Sequence, residues 1–242
     1  MKQIFENYTS EDLIVWSTLF ERQFENLKVK GSQHYLSALN EMHSVLNANE
    51  LPNFEAINAW FETSTAWEIH CVPGLIPVDE FFILLSQKKF PASTWLRSKD
   101  KLDYLEEPDM FHDVFGHVPL LSNTVFSNFV HEFGKLGVTL LDDEEKLLKL
   151  QRLYWFTIEF GLIQEDNALK AFGAGIISSF GESNSALLEE TSHENYLIAT
   201  VLERSFVTTE IQSTYFVLPS LVVLLESIVH LSLTWKEHEL VN

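Results

Sequence analysis

The apolar positions of this chain recur mostly at helical spacing. Thr9-Ser10-Glu11-Asp12 reads as a helix start before an amphipathic run to about Asn26, and Gly31 closes that region. Ser32 to about Leu46 repeats the pattern, and Phe54–Phe61 gives a shorter third helix after Pro52. Phe126–Leu136 and Glu144–Phe160 carry strong helical periods. Thr94-Trp95-Leu96 and Tyr215-Phe216-Val217 read instead as short strands. Pro and Gly concentrate between Pro73 and Gly181, where Ala171–Gly175 is predicted as a loop and Ser178–Gly181 as a short turn. Tyr215–Trp235 is the most apolar stretch, but Pro219, Glu226 and His230 interrupt it. A membrane span needs about 20 predominantly apolar residues, so a buried C-terminal helix is expected there. With no repeat, low-complexity tract or Gly/Ser linker, the pattern predicts a single domain over residues 1–242, mainly α with a few short β-strands.

Composition narrows the function. The 242 residues suffice for a sizeable core. With 19 Phe, 6 Trp and 6 Tyr, they predict a bulky core or an aromatic-lined pocket. Sixteen Lys and Arg stand against 35 Asp and Glu, a formal charge of −19. That sign excludes a phosphate-backbone binder and opposes an anionic membrane surface, so neither nucleic acid nor membrane is an expected partner. The one cysteine, Cys71, cannot form an internal disulfide or a thiolate zinc cluster. The N-terminus has no charged segment followed by an apolar one, as a signal peptide would. A reducing, cytoplasmic location is expected.

The chemistry concentrates in EPDMFHDVFGHVPLL, residues 107–121. Pro108 suits a first helical turn, Asp109 complements the helix dipole, and Gly116 followed by Pro119 predicts that the helix stops there. His112 and His117 are five apart, which on a continuous α-helix separates them by about 140°. A helix ending at Gly116 would let the chain turn and bring His117 back beside His112. The zinc-protease pattern is ruled out, since it needs a spacing of four and a glutamate after the first histidine. Taken alone, the pair is either a metal-binding couple or two unrelated polar loop residues.

A second element bears on that choice. Around Glu144–Phe160, Lys146, Lys149 and Arg152 mark a solvated stripe, and Leu147, Leu150, Tyr154 and Ile158 a buried one. Glu159 stands in an aromatic and apolar run, where a carboxylate needs a positive partner or is driven to protonate. That partner is either a cation such as Arg152 or a metal ion. Two histidines and one carboxylate with open coordination positions are the ligand set of non-haem Fe(II) oxygenases.

These residues resemble the pterin-dependent aromatic amino acid hydroxylases, most closely the short bacterial phenylalanine 4-hydroxylases. The resemblance runs in order through Tyr8-Thr9 to Trp16, LPNFEAIN (51–58), VPGLIPVDEFF (72–82), TWLR (94–97) and the histidine segment. It continues through YWFTIEFG (154–161), KAFGAGIISSFGE (170–182) and TEIQSTYFV (209–217). It implies a monooxygenase that converts L-phenylalanine to L-tyrosine with O2, a tetrahydropterin and iron, one oxygen atom going to the pterin and the other to the ring. His112, His117 and Glu159 would hold the iron. Gly74, Leu75 and Ile76 would meet the pterin edge through backbone groups, Phe81 would stack on its ring, and Asp113 would reach it through water. Arg97, helped by Ser178, would bind the amino acid's carboxylate, and Trp155 and Phe160 would bound the substrate ring. Glu182 would orient a ligand histidine from behind, and Tyr154 would sit near the iron. Tyr104, Glu107 and Pro108 would shape the entry to the histidine helix.

Read without the resemblance, Arg97 is a surface residue, Phe81 plain core, Ser178 a helix cap and Glu182 a solvated turn residue. Ser213 replaces an expected proline, Thr208 and Thr209 differ from the family's usual loop, and Leu105 and Glu106 replace the Thr-Pro of the animal enzymes. These departures leave tryptophan hydroxylation, another ring selectivity, or an inactive metal- or amino-acid-binding relative as alternatives. The animal enzymes' regulatory domain and tetramerisation helix are expected to be absent, which predicts a monomer.

Overall fold

The structure is a computed structural model that describes residues 1–103, 107–208 and 210–240, with side chains through 235. The readings of Tyr104, Leu105, Glu106 and Thr209 lie outside the described residues. Helix α1 (Ser10–Lys30) opens as its sequence dictates: Thr9 and Asp12 form a reciprocal capping box. Ser32 caps α2 (Gln33–Glu41) and Asn53 caps α3 (Phe54–Glu62), each side chain accepting an orphan backbone N–H. Strand β1 (Glu68–Val72), helix α4 (Val78–Ser86) and strand β2 (Lys89–Ser93) form a parallel crossover. The strand predicted at Thr94–Leu96 therefore lies just upstream, and residues 73–77 form a loop between β1 and α4, with Phe81 on α4.

The histidine segment does not end at Gly116. Residues Phe111–His117 form a π-helix, followed by a 3-10 turn at Pro119–Ser122. A π-helix bonds each residue to the fifth one along, so His112 and His117 lie one above the other without any break in the helix. Gly116 serves packing, since a Cβ there would stand 3.0 Å from the Ala174 carbonyl oxygen. Aromatic packing holds this rare winding. Phe111 stacks on Phe115 at 4.7 Å, Trp16 meets Phe111 at 5.6 Å and Phe20 meets Phe115 at 4.9 Å. Each such buried ring stabilises by about 1.5–3 kcal/mol. Tyr35 of α2 donates its hydroxyl to the Phe115 carbonyl at 2.6 Å, satisfying a backbone group inside the segment.

Helices α5 (Thr124–Thr139) and α6 (Glu144–Tyr154) follow. The helix predicted through Phe160 changes winding at Tyr154: Trp155–Glu159 is a second π segment, closed by the Phe160 N–H on the Trp155 carbonyl. Strands β3 (Leu162–Glu165) and β4 (Ala168–Ala171) form a hairpin whose two turn residues, Asp166 and Asn167, both have positive φ. The loop expected at Ala171–Gly175 is confined to residues 172–173 before helix α7 (Ala174–Ser178), and the turn expected at Ser178–Gly181 is the Ser179 junction into helix α8 (Phe180–Ser185). Strand β5 (Ser192–Asn195), helix α9 (Ile198–Glu203), strand β6 (Thr214–Leu218) and helix α10 (Leu221–Leu240) complete the chain. The four-stranded sheet has the order β4-β3-β6-β5. Helix α10 buries Leu224 and Ile228 and exposes Val222 and Val229, so the expected C-terminal helix is half-buried. No described helix is long and apolar enough to cross a membrane.

Candidate metal centre and ligand cavity

The two π segments face each other across a small cleft. One carries His112 and His117 and the other ends on Glu159. Nε2 of His117 lies 3.2 Å from Nε2 of His112 and 3.0 Å from Oε1 of Glu159, and the remaining pair, His112 Nε2 to Glu159 Oε2, is 3.6 Å apart. Neighbouring donors on one ion at about 2.1 Å would stand about 3.0 Å apart at octahedral angles and about 3.4 Å apart at tetrahedral ones. The three distances are short enough for the donor atoms to share a single ion, which they would hold by one triangular face. Arg152 takes no part, bonding the Leu202 carbonyl instead.

Hydrogen bonds fix which nitrogen of His112 is free. Ser178 donates its hydroxyl proton to the Ala174 carbonyl at 2.8 Å, so toward His112 Nδ1, 2.9 Å away, it can only accept. Nδ1 carries the proton, and Nε2 turns its lone pair toward His117 and Glu159. Burial drives His112 down to about 4, which keeps it neutral. Burial works against charge on Glu159 too, but the imidazoles of His117 and His112 outweigh it and hold the carboxyl at about 2. A neutral imidazole, an ionised carboxylate and a second histidine are a donor set that fits a dication. Tyr154, kept protonated by burial and by Glu159, hydrogen-bonds that carboxylate, and the Phe90 ring lies 4.8 Å from the His117 ring.

Beside the triad is a cavity of about 180 Å³. Gly74, Leu75, Ile76, Phe81 and Asp113 line it together with His112, His117 and Glu159, so the residues expected to meet the pterin share one wall with the donors. Asp113 accepts the Ser93 N–H at 2.8 Å, and burial pushes its carboxyl up to about 7. A larger polar cleft of about 590 Å³, between α2 and the β3–β4 turn, contains none of the predicted residues.

The residues expected to hold the amino acid do not border the cavity. Arg97, 8% exposed, directs Nε and Nη2 at Asp109, each 2.8 Å away, leaving Nη1 outside that pairing. The Arg97 guanidinium overcomes burial and holds Asp109 below the usual carboxylate range. Asp109 also accepts the His112 N–H at 3.1 Å, so it links the guanidinium to the histidine segment. Trp155 stacks on Phe206 at 4.7 Å, contacts Phe160 and donates its indole N–H to Gln212.

Two expectations need correction. Glu182 does not touch a ligand histidine; it lies on α8, where its carboxylate accepts the Tyr215 hydroxyl and the Gln212 N–H. Ser178 takes the part expected of Glu182, and its single proton is already spent on Ala174, so it has none to offer a substrate carboxylate. Phe90, Ser93 and the Asp109–Arg97 pairing were not anticipated. The strand signal at Thr94–Leu96 pointed a few residues too late to catch the first two, and Asp109 was read only as a helix-end charge.

Comparison with known proteins agrees with this geometry. The family model for biopterin-dependent aromatic amino acid hydroxylase matches residues 3–238. Phenylalanine-4-hydroxylase of Pseudomonas aeruginosa is 38% identical over 217 residues, covering 90% of this chain and 81% of that protein. The Vibrio cholerae enzyme of the same name is 41% identical, covering 89% and 73%. The crystal structure of Chromobacterium violaceum phenylalanine hydroxylase with bound iron(III) and 7,8-dihydrobiopterin superposes with a TM-score of 0.91 at 36% identity, covering 98% of this chain and 86% of that one. With its donor triad and cavity arranged as described, this chain belongs to the biopterin-dependent aromatic amino acid hydroxylases.

Proposed function

We propose that this chain is a phenylalanine 4-monooxygenase, forming L-tyrosine from L-phenylalanine with O2 and a tetrahydropterin, with iron held by His112, His117 and Glu159. The convergence of the three donor atoms within 4.8 Å, beside the cavity lined by residues 74–76, carries the reading. The relatives' names support phenylalanine as substrate. Bound there, iron and reduced pterin together supply the O2 activation and the electrons, chemistry the side chains lack. The chain's own residues bind and orient. The backbone of Gly74, Leu75 and Ile76 and the face of Phe81 take the pterin. Asp113 offers its edge a carboxyl that the Ser93 N–H holds in place. Arg97 keeps Nη1 for the amino acid's carboxylate while Asp109 holds its other two nitrogens still. Trp155 and Phe160 bound the substrate ring. Tyr154 fixes the Glu159 carboxylate. The reading includes one catalytic domain over 1–242, acting as a monomer in a reducing cytoplasm, where the free Cys71 is at home.

The test is product analysis with Fe(II), a tetrahydropterin and equal amounts of Phe, Tyr and Trp. Tyrosine is the expected product. Hydroxylated tryptophan would shift the substrate, and pterin oxidation indifferent to amino acid would overturn the reading. His112→Ala should lose both stoichiometric iron and hydroxylation; full iron content in that variant would remove His112 from the ligand set.

A further inference from the structure

Gln23 lies on α1, is 2% exposed and takes no part in the chemistry described above. Its Nε2 donates to the Ile177 carbonyl at 2.7 Å and to Ser183 Oγ at 3.0 Å, and reaches the Ser179 carbonyl at 3.3 Å. Reversing the amide would turn its oxygen onto three acceptors, so the chemistry of the surroundings fixes its orientation. The arrangement leaves Gln23 Oε1 buried without a hydrogen-bond partner among the described residues, a cost borne for what the nitrogen does. Asn26, on the same helix, joins the same junction through Ser183 Oγ at 2.8 Å.

Gln23 thus bonds the Ile177 carbonyl directly and reaches residue 179 through Ser183, whose hydroxyl donates to the Ser179 carbonyl at 2.7 Å. Between them stands Ser178, whose hydroxyl accepts the His112 Nδ1 proton at 2.9 Å. Helix α7 has only five residues; a single long bond, Ser179 N–H to the Ile176 carbonyl at 3.4 Å, closes its end, and the next carbonyl, that of Ile177, takes its proton from Gln23. We propose that Gln23 is a positioning residue for the metal centre: it fixes the α7–α8 junction, which sets the Ser178 hydroxyl, which sets the plane and tautomer of His112. The inference rests on reading His112 as an iron ligand.

Anaerobic Fe(II) titration against a competing chelator tests it without any turnover. The proteins compared are wild type, Gln23→Met, Ser178→Ala, the double variant and Leu27→Ala. Leu27 is a fully buried α1 residue and controls for loss of packing alone. Removal of a hydrogen-bond partner behind a ligand weakens metal binding about 10–100-fold. Gln23→Met should bind Fe(II) about tenfold more weakly, the double variant no more weakly than Ser178→Ala, and Leu27→Ala like wild type. Wild-type affinity in Gln23→Met, losses that multiply in the double variant, or an equal loss in Leu27→Ala would each overturn the proposal. Where Gln23→Met does not fold, Gln23→Asn, which withdraws the amide by one methylene, carries the same expectation. A wild-type protein that binds no Fe(II) overturns the ligand reading and this inference together; one that binds it while Gln23→Met binds equally well overturns the inference alone.

Discussion

Single residues in this molecule are committed by their partners. Asp109 is fully buried and accepts three hydrogen bonds, two from the Arg97 side chain and one from its N–H, besides that from His112. Asp109→Ala would strand a guanidinium that is itself only 8% exposed. Breaking such a pair costs about 3–5 kcal/mol, which urea unfolding of the metal-free protein should register. Glu182 presents the opposite sign. Burial raises its pKa despite the Tyr215 and Gln212 hydrogen bonds, so the fold favours the protonated carboxyl. Below the unfolded value of 4.5 that preference is fully present; it is lost as pH rises through the folded pKa. The stability of wild type relative to Glu182→Gln should therefore decline as pH is raised from about 4 toward neutrality, and a flat difference would contradict the assignment. Sequence alone marked Glu182 as important but not its partner, because β6 is brought to α8 by pairing that no local pattern encodes.

At the level of elements, the two stretches of π winding decide where the donors meet. The segments rich in chemistry, the helical run ending at Glu159 and the short strand at 215–217 were legible from spacing and residue type. The winding was not, because a five-residue interval between histidines is equally compatible with a helix that stops and with one that widens; packing by Trp16, Phe20 and Tyr35 from α1 and α2 settles it. The run KAFGAGIISSFGE looked like loop because of its glycines, yet two of them permit contact. Gly175 lies so near Phe160 that a Cβ would stand 2.7 Å from the ring's Cζ, and Gly173 lies so near the end of the second π segment that a Cβ would stand 2.5 Å from the Glu159 carbonyl oxygen. Gly173→Ala should destabilise by about 1–3 kcal/mol. At about 2–4 °C per kcal/mol for a chain of this size, the loss is readable in a thermal melt. Because the displaced atom belongs to Glu159, metal affinity should fall with it.

For the whole molecule, the formal charge of −19 sets a background that no local pairing removes. Like charges on one surface repel, and salt shortens their reach from about 30 Å at 0.01 M to about 8 Å at 0.15 M. Melting temperature should therefore rise over that range; a fall would mean that exposed ion pairs such as Lys28–Glu25, which salt also screens, outweigh the repulsion. The fold class and the ordered series of segments were readable from the chain, but the contacts that assemble the site were not, since they join residues far apart in sequence. The distance from Gln23 to Ser183 is 160 positions and from His112 to Ser178 it is 66. This has a consequence for biosynthesis. A nascent polypeptide halted at residue 150 would display both imidazoles with no acid opposite them and no hydroxyl behind them. Tight capture of the ion must wait until the last third of the chain has been translated, so premature termination should leave fragments that compete poorly for cellular iron.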